Sequence, residues 1–230
     1  MAVKRMIISP LSWWLGLLGL AGFLISGGAL AQAQQFSADL VATPVDGATT
    51  ASAGKLRVSG DKVRIETPDY ADGFFLIDGA NRAAYFARPA QRIFMDAKQS
   101  SRLTQVFVRV DPTDPCRQWQ TMAQVAGAAE VGDTWRCERL SEEIIDGRHA
   151  QAYRAILPSG RDFVGWIDPD LKFPLRIKMA DGATIAVRNI QAGPQPAGLF
   201  EIPAVFRKFD PQALIERIKQ SDVWVEPPPQ

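Results

Sequence analysis

The chain has 230 residues, 22% charged and 47% hydrophobic, a globular rather than a disordered composition. Its 26 Lys and Arg against 25 Asp and Glu give a net charge of +1, which leaves no polybasic field for a nucleic-acid backbone. One histidine and two cysteines are too few for a His/Cys-rich metal site, and no cofactor is expected.

Residues 1–33 have the three parts of a secretory signal peptide. Lys4 and Arg5 are the basic start, Ile7 to Ile25 is apolar, and Ala29-Leu30-Ala31 and Ala31-Gln32-Ala33 are small-residue cleavage patterns. Cleavage is expected after Ala31 or Ala33. The alternative is a retained anchor, because the run approaches the length of a bilayer span. Ser9, Pro10, Ser12 and several glycines interrupt it, and no basic cluster follows. The exported form is expected to be soluble and periplasmic, with no stable membrane span. Residues 34–225 read as one domain, and the proline-rich residues 226–230 as a loose tail.

From Phe36 onward the apolar residues alternate at strand period: Phe36, Ala38, Leu40 and Ala42, then Leu56 and Val58, then Val63 and Ile65. Gly47 and the Thr/Ala/Ser stretch after it read as a loop, and Gly60-Asp61 as a hairpin turn. Phe74 to Ile77, Ala83 to Phe86 and Ile93 to Met95 continue the meander. The period then changes. Asp114-Pro115 is a helix-start signature, and Trp119, Met122, Ala123 and Ala126 fall on one helical face. Strand patterns resume over Trp135 to Leu140, Glu143 to Ile145, Ala150 to Leu157, Phe163 to Ile167, Leu175 to Met179 and Thr184 to Ile190. Asp146-Gly147, Ser159-Gly160 and Asp181-Gly182 punctuate them as turns. Asp210-Pro211 opens a second helix with Leu214, Ile215 and Ile218 on its stripe.

These patterns predict a mainly β protein of about ten or eleven strands and two helices, in one curled antiparallel sheet or unclosed β-barrel with helices over the concave side. Cys116 and Cys137, the only cysteines, are expected to form a disulfide in an oxidising compartment, pinning the helix start to the sheet. A redox-active pair is the alternative, but such pairs usually lie two residues apart.

Phe74 to Ile77 place apolar groups on both faces, which a half-wet strand does not do. Either protein covers both faces or one face lines an apolar cavity. Candidates for that lining are Val63, Ile65, Phe75, Ile77, Tyr85, Ile93 and Met95, with Trp119 and Met122 from the helix.

Several strings carry a resemblance. Gly165-Trp166-Ile167-Asp168-Pro169-Asp170-Leu171 runs into Phe173-Pro174-Leu175-Arg176-Ile177, followed by Val187-Arg188-Asn189-Ile190-Gln191 and Gly198-Leu199-Phe200-Glu201-Ile202-Pro203. With Phe36-Ser37-Ala38-Asp39-Leu40 and Gly60-Asp61-Lys62-Val63-Arg64-Ile65, this pattern of strands and turns resembles the LolA-like superfamily over roughly residues 36–210. The resemblance implies an unclosed β-barrel plugged by helices. It also implies carriage of lipids or lipoprotein acyl chains across the periplasm, or, as in some relatives, a sensor or regulatory role.

Enzymatic chemistry is not expected. His149 is the only imidazole and sits at a strand start; no Gly-x-Ser-x-Gly elbow, calcium loop or glycine-rich phosphate cradle is present. Asp111, Asp114, Asp168, Asp170 and Asp181 flank Pro or Gly, where aspartate makes turns and caps. The first functional expectation is a soluble periplasmic carrier for an acyl chain, lipid or lipoprotein. The alternative is a sensor or assembly module that binds a cell-envelope protein through an outer patch or a sheet edge.

Overall fold

The computed structural model describes residues 34–47, 49–97, 101–127 and 135–220. The expected signal peptide (1–33) and tail (226–230) lie outside these residues. Twelve strands form one open sheet in the order β12-β6-β5-β4-β3-β2-β1-β11-β10-β9-β8-β7. The first half is a meander: β1 (Gln35–Thr43), β2 (Ala51–Ser59), β3 (Lys62–Glu66), β4 (Phe74–Asp78), β5 (Ala83–Arg88) and β6 (Ile93–Asp96). The second is another: β7 (Arg136–Ile145), β8 (Arg148–Ile156), β9 (Asp162–Asp168), β10 (Phe173–Lys178) and β11 (Thr184–Ala192). β1 pairs antiparallel with β11, which joins the two halves.

Three expectations are corrected. The Thr/Ala/Ser stretch is not all loop, because β2 begins at Ala51, paired with Ala42. Trp135 to Leu140 and Glu143 to Ile145 are not two strands. They merge into β7, where a bulge between Arg139 and Glu142 inserts one extra residue against β8. A twelfth strand, β12 (Arg207–Lys208), pairs parallel with β6.

Turn chemistry explains the hairpins. Asp146 and Gly147 both take positive φ, 50° and 76°, the type I′ geometry whose twist matches the flanking strands. Asp168 is buried at the β9–β10 turn; its Oδ1 accepts from the backbone N–H of Asp170 and of Leu171, both at 2.9 Å, and its Oδ2 from Arg148. Asp114 caps the second helix through Arg117 N–H.

Between β6 and β7 lie α1 (Leu103–Val106) and α2 (Pro115–Val125). One helix, α2, touches both β5 and β7, which stand near opposite ends of the strand order. The sheet therefore wraps around the helix. Trp119, Met122 and Ala123 are buried beneath it, each large side chain contributing about 1.5–3 kcal/mol. Within the insert Trp119 Nε1 donates to Val106 O at 3.0 Å, and two hydrogen bonds pin it to the sheet: Tyr153 Oη to Pro112 O at 2.6 Å and Val110 N–H to Lys172 O at 2.9 Å. The expected bridge is present, with Cys116 and Cys137 bonded at a Cα separation of 5.8 Å. The described residues end on α3 (Pro211–Gln220). No described helix is long and apolar enough to cross a membrane.

Candidate functional site: a filled hollow and a free edge

Strand register sorts the side chains onto two faces. On the concave face, Ile65 stands across from Phe75, Phe75 from Phe86, and Phe86 from Met95. The next row is Val63, Ile77 and Ala84. The candidate set is therefore brought together, with one difference. Tyr85 pairs with Leu76 and Asp96 and stands on the outer face, its ring 5.7 Å from that of Phe94. Phe86 holds the inner position instead. Met95 and Ile93 share the inner set but are only half-buried, because β6 lies near the sheet end.

Among the described residues the inner face is closely packed: Val63, Ile65 and Ile77 are 0% exposed. Phe75, Trp119 and Met122 are buried in the same cluster. Trp119 lies against Phe163, ring centroids 5.1 Å apart, and against the backbone of Gly165.

The outer face of β4 and β5 is also covered by protein. Phe74, Leu76 and Ala87 form a second apolar cluster with Phe200, and Phe94, Leu199, Ile202 and Phe206 pack on it. The cover is the segment from Ala197 to Lys208, which returns from β11 and ends as β12. Arg64 fastens it: the guanidinium lies 3.5 Å over the Phe74 ring and donates to Leu199 O at 3.3 Å. Sequence reasoning missed this strap. Its signal was the apolar pair Leu199 and Phe200, followed by Ile202 and Phe206, in a segment preceded by Pro194 and Pro196 and interrupted by Pro203.

At the far end of the sheet, β7 bonds to β8 and, among the described residues, to nothing on its other side. Every residue of it except Ile145 is exposed. Arg136, Glu138, Arg139, Glu142 and Glu143 place charges along it, yet Ile144 is 69% and Leu140 36% exposed. Glu143 accepts from Arg176, whose guanidinium sits 3.8 Å over the Trp166 ring. That bond from Arg176 holds the Glu143 carboxyl below its ordinary range. His149 pairs across from Ile144 and is exposed. Among the described residues, no three His, Cys, Asp or Glu gather as a metal site.

What the geometry defines, among the described residues, is an open, curled and mainly antiparallel sheet with a helical plug over a packed inner face and one long unpaired edge. No family model and no curated protein sequence matches the chain. Similar solved structures include PNGF-II, at 8% identity and a TM-score of 0.48, covering 82% of this chain and 33% of the other. This chain thus spans about a third of that protein. A domain described as an outer membrane lipoprotein-sorting protein, from Vibrio parahaemolyticus, is 11% identical with a TM-score of 0.36, covering 76% of this chain and 92% of that one. The complex of MucA and MucB from Pseudomonas aeruginosa gives 16% identity and a TM-score of 0.41, over 76% of this chain and 58% of that one.

Proposed function

We propose that the mature chain is an exported binding module, not an enzyme, that engages a protein partner along the free edge of its sheet. One observation carries this reading: β7 is a ten-residue strand with, among the described residues, a bonded neighbour on one side only, exposed along nearly its whole length. An extended segment added to such an edge gains main-chain hydrogen bonds and places alternate side chains against the strand's own. The charges along β7 discourage indiscriminate pairing, which is how natural edges avoid aggregation. Ile144 and Leu140 remain as apolar contacts beside them. The test is a photo-reactive residue placed at Ile144, with one at the exposed Val45 as control, in cells of the source organism. Crosslinks to one envelope protein from position 144 and none from 45 are expected. Equal labelling from both positions would overturn the reading.

A carrier of an acyl chain, lipid or lipoprotein is the second reading, and one feature favours it. Val63, Ile65, Phe75 and Ile77 form a continuous apolar face in the same core cluster as Trp119 and Met122 of the helical insert. A ligand there would take the place of Trp119 and Met122, so the insert would have to lift. Mass spectrometry of lipid extracted from the purified protein tests it; stoichiometric lipid supports carriage.

A further inference from the structure

A groove of about 270 Å³ crosses the outer face of β11, β1 and β2, lined by Ser37, Asp39, Lys55, Arg57, Asn189 and Gln191. It differs from two other surface grooves in its charge pairing. In those, the guanidinium already faces a carboxylate: Arg109 lies 3.5 Å from Asp61, and Arg64 2.8 Å from Glu66. Among the described residues, Arg57 faces no carboxylate within ion-pair distance. Its Nη1 donates to Oε1 of Gln195 at 3.3 Å, and its buried Nε has no partner. Gln195 is itself held, its side-chain amide donating to Gly193 O at 3.1 Å and its backbone N–H to Gln35 Oε1. The guanidinium is thus fixed on one side and unsatisfied on the other.

Register makes the imbalance sharper. Arg57 stands directly across from Arg64 on β3 and from Ser37 on β1. Like charges at paired positions repel. A buried donor without an acceptor carries its whole desolvation cost. Arg64 is relieved by Glu66 and by the Phe74 ring; Arg57 has no such relief. An oxyanion in the groove would neutralise the charge, and a small turn of the side chain toward it would give the Nε–H the acceptor it lacks.

We propose that this groove binds an oxyanion group, a carboxylate or phosphate, on Arg57. The planar guanidinium matches such groups, and Lys55 and the Ser37 hydroxyl line the same space. Asp39 is the opposing element. Its carboxylate shares the groove and accepts from Asn189 Nδ2 at 2.8 Å. It limits the affinity for any anion, and it supplies a control that a purely structural role for Arg57 would not reproduce.

The test is NMR titration of the arginine Nε–H signals with inorganic phosphate and with acetate, against sodium chloride at matched ionic strength. A saturable shift of the Arg57 signal is expected with phosphate and acetate and not with chloride. Arg57→Gln should weaken phosphate binding about tenfold or more, the scale of one charge-assisted bond. Asp39→Asn should strengthen it. Arg57→Lys keeps the charge and checks that the fold tolerates substitution. Phosphatidylglycerol vesicles against phosphatidylcholine vesicles separate the sources: binding to the former assigns a lipid headgroup, and binding to free phosphate alone assigns a small anion. An Arg57 signal indifferent to both anions, or Asp39→Asn without effect, would overturn the proposal and leave the groove to water.

Discussion

The indole of Trp119 occupies the space that a side chain at position 165 would need. A Cβ built on Gly165 would stand 2.5 Å from the Trp119 ring and 3.0 Å from Ile177 Cδ1. Helix α2 therefore seats on β9 only because position 165 is glycine. Trp119 has little freedom to retreat, since its Nε1 is bonded to Val106 O and its ring lies against Phe163. Gly165→Ala is expected to destabilise the protein by about 1–3 kcal/mol, the cost of overpacking a filled core. Urea unfolding measures it, and Trp119 fluorescence should shift toward that of an exposed indole.

The disulfide gives a second expectation. Cys116 is buried in the first turn of α2, and Cys137 lies on β7, the strand with the least cover. The bond closes a loop with a sequence separation of 21. The double variant Cys116→Ser, Cys137→Ser should lose about 3 kcal/mol on the chain-entropy account. Hydrogen exchange should rise most on β7, whose main remaining attachments are its ladder to β8 and the Glu143–Arg176 pair, and least on β3 and β4. Uniform acceleration across the sheet would contradict this division.

Local chemistry and long-range pairing leave different traces in the amino-acid sequence. The hairpins are legible there because Gly60-Asp61, Asp146-Gly147 and Asp181-Gly182 specify turns by backbone chemistry. Helix α2 is legible because Asp114 and Pro115 mark its start and its stripe is unbroken. Strand faces are not, since period 2 defines two sets without saying which is inside. Tyr85 shows the difficulty: it is an aromatic like Phe86, and only its pairing with Leu76 puts it outside. Helix α1 has four residues and β12 two, too short for any period. The strap and the open edge of β7 depend on which strands end up last in the sheet, a long-range outcome with no local signal. The Arg57 groove is of the same kind, assembled from β1, β2 and β11.

Acid should loosen the β7 edge. Glu143 is held below its ordinary value of 4.5 mainly by the Arg176 bond. A carboxyl with a depressed native value adds stability that is complete above its unfolded value and lost as pH falls through the native one. Asp111, lowered by the Thr113 hydroxyl and N–H, has the same sign. Melting temperature should therefore fall as pH drops from neutral to about 3, and Glu143→Gln should reduce that slope. The effect is small, because the pair is half exposed and screened by solvent. An unchanged slope in the variant would show that Arg176 does not depend on the ionised partner.

The last expectation separates the edge from the hollow. Ile144 is exposed and Ile65 is wholly buried, so the two isoleucines should behave in opposite ways. Ile65→Ala removes packed methyl groups from the core cluster and should cost about 2–5 kcal/mol. Ile144→Lys alters a surface side chain and should change stability by about 0.5 kcal/mol or less. If β7 is the docking edge, Ile144→Lys should abolish crosslinking to the envelope partner while the melting temperature holds. Ile65→Ala, assayed at a temperature where it remains folded, should leave crosslinking intact. The carrier reading expects the reverse for a fluorescent fatty acid: binding altered by Ile65→Ala and untouched by Ile144→Lys. Running both variants in both assays makes the readings exclusive, because each assigns the loss of binding to a different isoleucine. Loss from Ile65→Ala alone, in a folded protein, would move the function from the edge to the hollow.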